Sequence, residues 1–295
     1  MRKAHFPGFE PYEHLQELIA LAVAEDVGSG DVTSNSLIPA DLRGTAVIIA
    51  REPLLVCGNE AARAVCAAIG ADALDYKEAA EDGTAVKDNE TIAVITGPMR
   101  TILTAERVLL NFMQRLSGIA TYTRKLRETM NNKSVKILDT RKTTPGWRSL
   151  EKYAVFTGGG TNHRLGLYDA FLIKNNHIDA FGGDVRAAVK QCKRNNPDGL
   201  KVQVEVRSQA ELEQAVAAHP DSILLDNMSL DALRGSVLYV RGEQGPKKIE
   251  LEASGGINEK TIAAIAATGI DAVSIGALTH SAKAADISLR YRSGN

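Results

Sequence analysis

The chain has 295 residues, 44% of them hydrophobic and 24% charged, with a formal net charge of −1 at pH 7. That suits one large globular domain or two smaller ones with a substantial core, and the near-neutral balance gives no argument for nucleic acid or a membrane surface. Three cysteines, Cys57, Cys66 and Cys192, without C-x-x-C or Cys/His ligand spacing, argue against a disulfide framework or a zinc site and suit free thiols in a reducing compartment.

The first residues, MRKAHFPGFEPYEHL, contain no apolar signal region, and no apolar run reaches the ~18 residues of a membrane helix, so a cytoplasmic protein is expected. Residues 13–26 pattern as an amphipathic helix. TAVIIAREPLLVCG (45–58) and TIAVITGP (91–98) read as short strands with turns, and EAARAVCAAIG (60–70) as a helix between them. These segments form an α+β domain over residues 1–117, joined by a long helix over 102–130 to a catalytic domain over 118–281. Residues 282–295 are expected to pack back on the N-terminal domain.

From residue 135 onward the pattern alternates. Strands are expected at VKILDT (135–140), DAFLIK (169–174), KVQVEV (201–206), SILLD (222–226), KIELEAS (248–254) and DAVSIG (271–276). Helices are expected at roughly 182–195, at QAELEQAVAA (209–218), at NMSLDALRGSVLYV (227–240) and at NEKTIAAIAAT (258–268). Spacing of about 20–25 residues between most strands is that of βα units. Such units build an open doubly wound sheet or a barrel. In KVQVEV, Val202, Val204 and Val206 oppose Gln203 and Glu205; in KIELEAS, Ile249, Leu251 and Ala253 oppose Glu250, Glu252 and Ser254. A doubly wound strand is apolar on both faces, whereas one apolar and one carboxylate-bearing face suits a barrel wall whose polar side looks inward. The expected class is therefore α/β, a barrel with a separate N-terminal domain.

In a βα barrel, chemistry gathers at the C-terminal strand ends. Reading those ends in order gives Asp139-Thr140-Arg141-Lys142, Lys174, Glu205, Asp226, Ser254-Gly255-Gly256 and Gly276, with His163 and Arg164 from the loop before DAFLIK. Several cations thus meet two carboxylates and glycine-rich turns on one rim. Arg141-Lys142 alone would read as a solvated turn. Glu205 could sit at a helix N-terminus, but Ser208 and Glu211 already supply a capping box. Asp226 could cap the following helix through DNMS. Ser254-Gly255-Gly256, opening a helix at Asn258, could be a plain tight turn, yet at a late barrel strand such backbone N–H groups hold phosphate. His163 reads equally as a packed core histidine or a site residue; His177 and His280 read as structural. Clustered cations beside paired acids suggest a phosphorylated sugar substrate.

The segments EDVGSGDVTS, ERVLLNFMQRLSGIAT, LDTRKTTPGWRSLEKYAV, GGGTNHRLGLYDAFLIKNNH, LLDNMS, LEASGGIN and SIGALTHS closely resemble, in order and over nearly the whole chain, the quinolinate phosphoribosyltransferase family. TRKTTPG and NHRxGLxD are its most specific blocks. The resemblance implies conversion of quinolinate and phosphoribosyl pyrophosphate to nicotinate mononucleotide, pyrophosphate and CO2 in de novo NAD synthesis. It implies an N-terminal sandwich-like domain on an incomplete α/β barrel of about seven strands. It implies Mg²⁺ bound mainly through phosphoribosyl pyrophosphate, no organic cofactor, no nucleic acid or membrane partner, and a homodimer or larger homo-oligomer with shared sites.

Carried onto this sequence, the resemblance implies a cationic pocket of Arg141, Lys142, His163, Arg164 and Lys174, with Arg107 donated by the partner subunit. Arg141 and Arg164 would grip the quinolinate carboxylates, with His163 and Lys174 beside them, and Thr140 is a further expected substrate-binding position. Glu205 and Asp226 would hold the ribose hydroxyls and the Mg²⁺-bound phosphoribosyl group. Ser254, Gly255 and Gly256, with Gly276, would cradle the 5′-phosphate, and Ile275 and Ala277 are further expected substrate-binding positions. Lys142, Lys174, Glu205 and Asp226 are the expected catalytic positions. The family commonly carries Asp where this chain has Asn175. Rival readings are a sister phosphoribosyltransferase that uses nicotinate, relatives associated with metal transport, a Schiff-base aldolase built on Lys174, and a non-catalytic phosphosugar-binding barrel.

Overall fold

The computed structural model describes residue 10 and residues 12–243 and 248–292. Most of the amino-terminal stretch read as lacking a signal region lies outside the described residues, as does the end of the 282–295 tail. The chain divides into two compact units, one of residues 1–124, 143–159 and 279–295 and one of residues 125–142 and 160–278.

In the first unit, α1 (Leu15–Val27) and α2 (Val32–Leu37) precede β1 (Arg43–Ala50), β2 (Leu54–Leu55), α3 (Asn59–Gly70), β3 (Asp75–Glu78), β4 (Ala85–Val86) and β5 (Thr91–Pro98). α4 (Met99–Met130) then runs unbroken through residue 118, where a domain boundary was expected, and carries the chain into the second unit. α2 begins where Asp31 accepts the Ser34 N–H at 2.9 Å, an N-cap that also takes the Ser34 hydroxyl. β1 and β5 pair antiparallel, with Ala46, Ile48, Ala93 and Ile95 fully buried. The terminal strand of the chain, β12 below, adds to the other edge of β1, giving the order β12-β1-β5-β3.

The rest of the chain supplies β6 (Lys136–Leu138), α5 (Arg148–Thr157), β7 (Phe171–Ile173), α6 (Asn175–Ala180), α7 (Val185–Arg194), β8 (Val202–Val206), α8 (Gln209–Ala218) and β9 (Ser222–Asp226). It continues with α9 (Leu230–Gly242), β10 (Glu250–Ser254), α10 (Ile262–Ala266), β11 (Ala272–Ser274), α11 (Ala277–His280) and β12 (Ile287–Arg292). α5 and β12 belong to the first unit. The six parallel strands of the second unit follow the order β6-β11-β10-β9-β8-β7. Thr161 adds a single parallel bridge outside β6 at Leu138, so the expected seventh strand is reduced to one residue. No pairing among the described residues joins Thr161 to β7, which leaves the incomplete barrel open there.

Burial follows the alternation. Val202, Val204 and Val206 are buried on one face. On the other, Gln203 and Glu252 are also buried, so this face is an enclosed polar interior. Ser208 caps α8 through the Glu211 N–H, but Glu211 reaches back to the N–H of Arg207 rather than of Ser208, so the capping box forms only in part. α10 begins at Ile262, not at Asn258, because 258–261 close a turn in which the Asn258 N–H donates to Thr261 Oγ1 at 3.0 Å.

Candidate active site

The C-terminal ends of the parallel strands bring most of the expected residues onto one rim. β6 runs out into Thr140, Arg141 and Lys142, where the Lys142 N–H donates to Thr140 Oγ1 at 3.0 Å and shapes the turn. Before it, Asp139 is fully buried and accepts the His163 N–H at 2.8 Å and the Asn162 side-chain N–H at 2.5 Å. This carboxylate ties the strand end to the loop that carries His163 and Arg164. That loop is closed by Asp169, which accepts the N–H of Leu165 at 2.6 Å and of Gly166 at 3.1 Å. The Arg164 Nη1 donates to the Ala170 carbonyl at 3.1 Å. Burial, and then the charge of Arg141, push the Arg164 guanidinium below its ordinary range, against the pull of Asp169. Two guanidinium groups that repel each other are a prepared seat for anions. The Nε of Arg141 is buried without a hydrogen-bond partner, a donor aimed at chemistry the protein does not itself supply.

β7 ends in Lys174, which is exposed on the rim. Glu205, near the end of β8, accepts the backbone N–H of Asn175. Burial and then the Asp226 charge raise the Glu205 carboxyl above its ordinary range, while Lys174 opposes them. Glu205 and Asp226 therefore face each other as like charges with a cation beside them. Asp226 is not the cap of α9; Ser229 holds that place through the Ala232 N–H. Asp226 accepts instead from the hydroxyl of Ser254 at 2.6 Å and from the Asn227 amide at 3.0 Å. β10 then turns through Gly255 and Gly256 at φ 92° and 61°. A side chain at Gly255 would run into Asn227, while one at Gly256 would meet nothing within 4 Å. Positive φ at both residues makes a tight turn at the strand end, and turns that bring successive backbone N–H groups together suit an anion.

The remaining expected positions fall as follows. The Ser254-Gly255-Gly256 turn is separated from α10 by a further turn, so the expected helix terminus does not follow it directly. Ile275 is 2% exposed and its N–H donates to the Leu138 carbonyl at 3.0 Å, so it fixes the β11 end. Gly276 and Ala277 lie at the same strand end, with Ala277 opening α11. The His163 ring nitrogens meet the Arg164 N–H at 2.7 Å and the Gln203 side chain at 3.0 Å, and Nε2 lies 3.4 Å from the Glu252 carboxylate. Arg107 is exposed on α4 in the other unit.

The sequence reading missed Gln203 and Glu252 as members of a shared network. The available signal was their polarity on strands whose opposite face is wholly apolar. Asp139 was noted at its strand end without a role.

Two family models match the chain: Quinolinate phosphoribosyl transferase, N-terminal domain, over residues 31–117, and the C-terminal domain of the same family over residues 119–290. The chain is 39% identical over 279 residues to a probable nicotinate-nucleotide pyrophosphorylase (carboxylating) of Bacillus subtilis, covering 93% of this chain and 92% of that protein. It is 38% identical over 297 residues to quinolinate phosphoribosyltransferase (decarboxylating) 1b of Nicotiana tabacum, covering 96% of this chain and 84% of the relative. Among solved structures, that of the nicotinate-nucleotide pyrophosphorylase from Francisella tularensis superposes with a TM-score of 0.88 at 41% identity, covering 96% of this chain and 98% of that one.

Proposed function

The chain belongs to the quinolinate phosphoribosyl transferase family, and from that premise we propose that it transfers the phosphoribosyl group of phosphoribosyl pyrophosphate to quinolinate, with decarboxylation to nicotinate mononucleotide in NAD synthesis. The single observation that carries the site assignment is the pairing of an anion-seeking rim, with the unpartnered buried Nε of Arg141, against the carboxylates Glu205 and Asp226.

Both substrates are multiply anionic, and preplaced cations remove the repulsion between them. Arg141 and Arg164 hold the two quinolinate carboxylates, with Lys142 and Lys174 beside them and Thr140 shaping the turn. The Gly255–Gly256 cradle, together with Ser254 and the Gly276–Ala277 strand end, takes the 5′-phosphate. Glu205 and Asp226 hold the ribose hydroxyls. The pyridine nitrogen attacks ribose C1; the N–C1 bond forms as the C1–O bond to pyrophosphate breaks, with positive charge building on the ribose. The alkylated ring nitrogen then receives the electron pair released as the adjacent carboxylate leaves as CO2, and a proton takes its place on carbon. Positioning supplies most of the acceleration.

Mg²⁺ fits this rim as a companion of the substrate. Among the described residues no three His, Cys, Asp or Glu side chains converge as a metal cage. The adjacent Glu205 and Asp226 match the one or two carboxylates that suit Mg²⁺ carried largely on phosphates. When bound, the ion would offset charge on the departing pyrophosphate.

The working unit is a homodimer in which Arg107 of the partner subunit completes the pocket. Exposure of Arg107 on α4, and of Leu167 (74%), Tyr168 (73%) and Phe181 (50%) near the open β7 edge, supports an interface. No described helix is long and apolar enough to cross a membrane. The buried free thiols Cys57 and Cys66 support a reducing, cytoplasmic setting.

The test is production of CO2 and nicotinate mononucleotide from quinolinate, with phosphoribosyl pyrophosphate and Mg²⁺ each present or omitted. Turnover that needs both sustains the assignment. Turnover of nicotinate in place of quinolinate, or of neither, overturns it.

A further inference from the structure

We propose that Asn227 is a positioning residue for the phosphoribosyl group: it clasps the ends of β9 and β10, so that the Asp226 carboxylate and the turn at Gly255 are set as one piece. The kinetic arm of the test rests on the reaction proposed above; the stability arm does not.

Asn227 follows the last residue of β9, and β9 and β10 run parallel with Asp226 opposite Ser254. Three hydrogen bonds close this strand end. The Asn227 backbone N–H donates to the Ser254 carbonyl at 3.0 Å. The Ser254 hydroxyl donates to Asp226 Oδ1 at 2.6 Å, and the Asn227 side-chain N–H donates to Asp226 Oδ2 at 3.0 Å. Each carboxylate oxygen of Asp226 thus takes one donor, one from each strand end. An ionised carboxylate only accepts, so the Asn227 amide turns its N–H group toward Asp226 and its carbonyl away. That carbonyl lies over Gly255: a β-carbon there would strike Asn227 Oδ1 and come within 3.0 Å of the Asn227 α-carbon. Gly255 itself stands at φ 92°. One side chain therefore orients the acid with its nitrogen and roofs the glycine turn with its oxygen.

The backbone explains why asparagine suits the position. Asn227 stands at φ 53°, the left-handed region that asparagine enters more readily than most residues with a β-carbon. Glycine would turn the chain as well, but it has no amide to join Asp226 to Gly255.

A phosphoribosyl group presents its ring hydroxyls and its 5′-phosphate at a fixed separation. In the proposed site Asp226 meets the hydroxyls and the Gly255–Gly256 turn meets the phosphate. Locking these two to each other favours a ligand that carries both groups at that spacing. Arg141 and Arg164 stand on other segments of the rim, so loss of the clasp leaves the grip on quinolinate in place.

Asn227→Gly isolates the amide, because it keeps the left-handed turn and the backbone N–H. A residue needed only to turn the chain would be replaced by glycine without loss. In steady-state kinetics Asn227→Gly should instead raise KM for phosphoribosyl pyrophosphate roughly tenfold, the effect of one lost hydrogen bond to a charged group, with KM for quinolinate within about twofold of wild type. Asn227→Asp tolerates the same backbone but offers no donor and sets a second charge beside Asp226, so it should raise that KM further. A wild-type KM for phosphoribosyl pyrophosphate in Asn227→Gly, or an equal rise for quinolinate, overturns the proposal. Stability reads the contact independently of turnover. Gly255→Ala should lower Tm by several degrees in the wild type, through the left-handed backbone and the clash with Asn227 together. In the Asn227→Gly background only the backbone contribution remains, and the loss should be smaller by about 2–4 °C. Equal losses in the two backgrounds overturn the clasp. Should the wild type fail to turn over quinolinate at all, the functional assignment falls, and the stability cycle still decides whether Asn227 sets the turn at Gly255.

Discussion

Arg141 and Lys174 are the proposed site residues whose side chains differ most from structural ones. Arg141 carries a buried donor with no partner, and Lys174 stands exposed with its charge turned toward Glu205. Neither side chain completes a bond the fold depends on. Arg141→Ala and Lys174→Ala should therefore each lower kcat/KM for quinolinate by roughly 100-fold or more, the loss of one or two charge-assisted bonds, while circular dichroism and Tm stay at wild-type values. Retained kcat/KM in either variant would remove that residue from the mechanism. Asp226 gives the complementary case. Glu205 has a raised folded pKa through burial and the Asp226 charge. A carboxyl raised in this way lowers stability at every pH above its unfolded value, about 4.3, and the cost fades below it. Asp226→Asn keeps an acceptor for Ser254 but removes the repulsion. It should raise Tm near neutrality, leave Tm little changed near pH ~3, and abolish most turnover. A lower Tm at neutral pH would contradict the like-charge reading.

At the scale of elements, α4 carries two constraints that periodicity does not show. Gly118 lies where the chain at 283–285 crosses the helix: a side chain there would strike the Lys283 carbonyl and come within 3.1 Å of the Ala285 nitrogen. Gly118→Ala should cost about 1–3 kcal/mol by overpacking and lower Tm by several degrees; an unchanged Tm would show that the crossing yields freely. Three residues earlier, Arg115 donates to Glu151 of α5 through Nε at 3.1 Å and Nη2 at 2.7 Å, and to the Ala282 carbonyl at 3.0 Å. Glu151 is fully buried and also accepts from the Thr144 N–H and hydroxyl. Removing the Arg115 charge leaves a buried carboxylate poorly compensated, so Arg115→Ala should destabilise by about 3–5 kcal/mol, read as a lower urea midpoint. α5 itself was not expected from the sequence, because SLEKYAVF buries Glu151 and Lys152 together with its apolar residues and so blurs the amphipathic stripe. By contrast α8 and β8 were legible, since a capping serine and strict alternation mark them locally.

At the scale of the whole molecule, the proposed dimer makes a mixing experiment decisive. Arg107→Ala and Lys174→Ala would each disable every site in their own homodimers. In a hybrid, one of the two sites would carry both changes and the other neither. Equal mixing with complete subunit exchange should then restore about a quarter of wild-type activity, as expected for an isologous pair. No recovery after exchange verified by mass spectrometry would count against Arg107 acting in the partner's site.

By itself the sequence determined the order of βα units, the inward polar faces of KVQVEV and KIELEAS, the strand-end positions of Arg141, Lys174, Glu205 and Asp226, and the family. Each of these is written locally, as a period, a cap or a contiguous motif. Only the tertiary structure decided that the His163 ring meets Gln203, that the Ile275 N–H is taken by the Leu138 carbonyl, and that residues 143–159 join the first unit. His163 meets Gln203 across 40 residues, and Gln203 meets Glu252 across 49. A period shows which face a side chain occupies; which partner it bonds there, and in which direction, is set by strands brought together from distant parts of the chain.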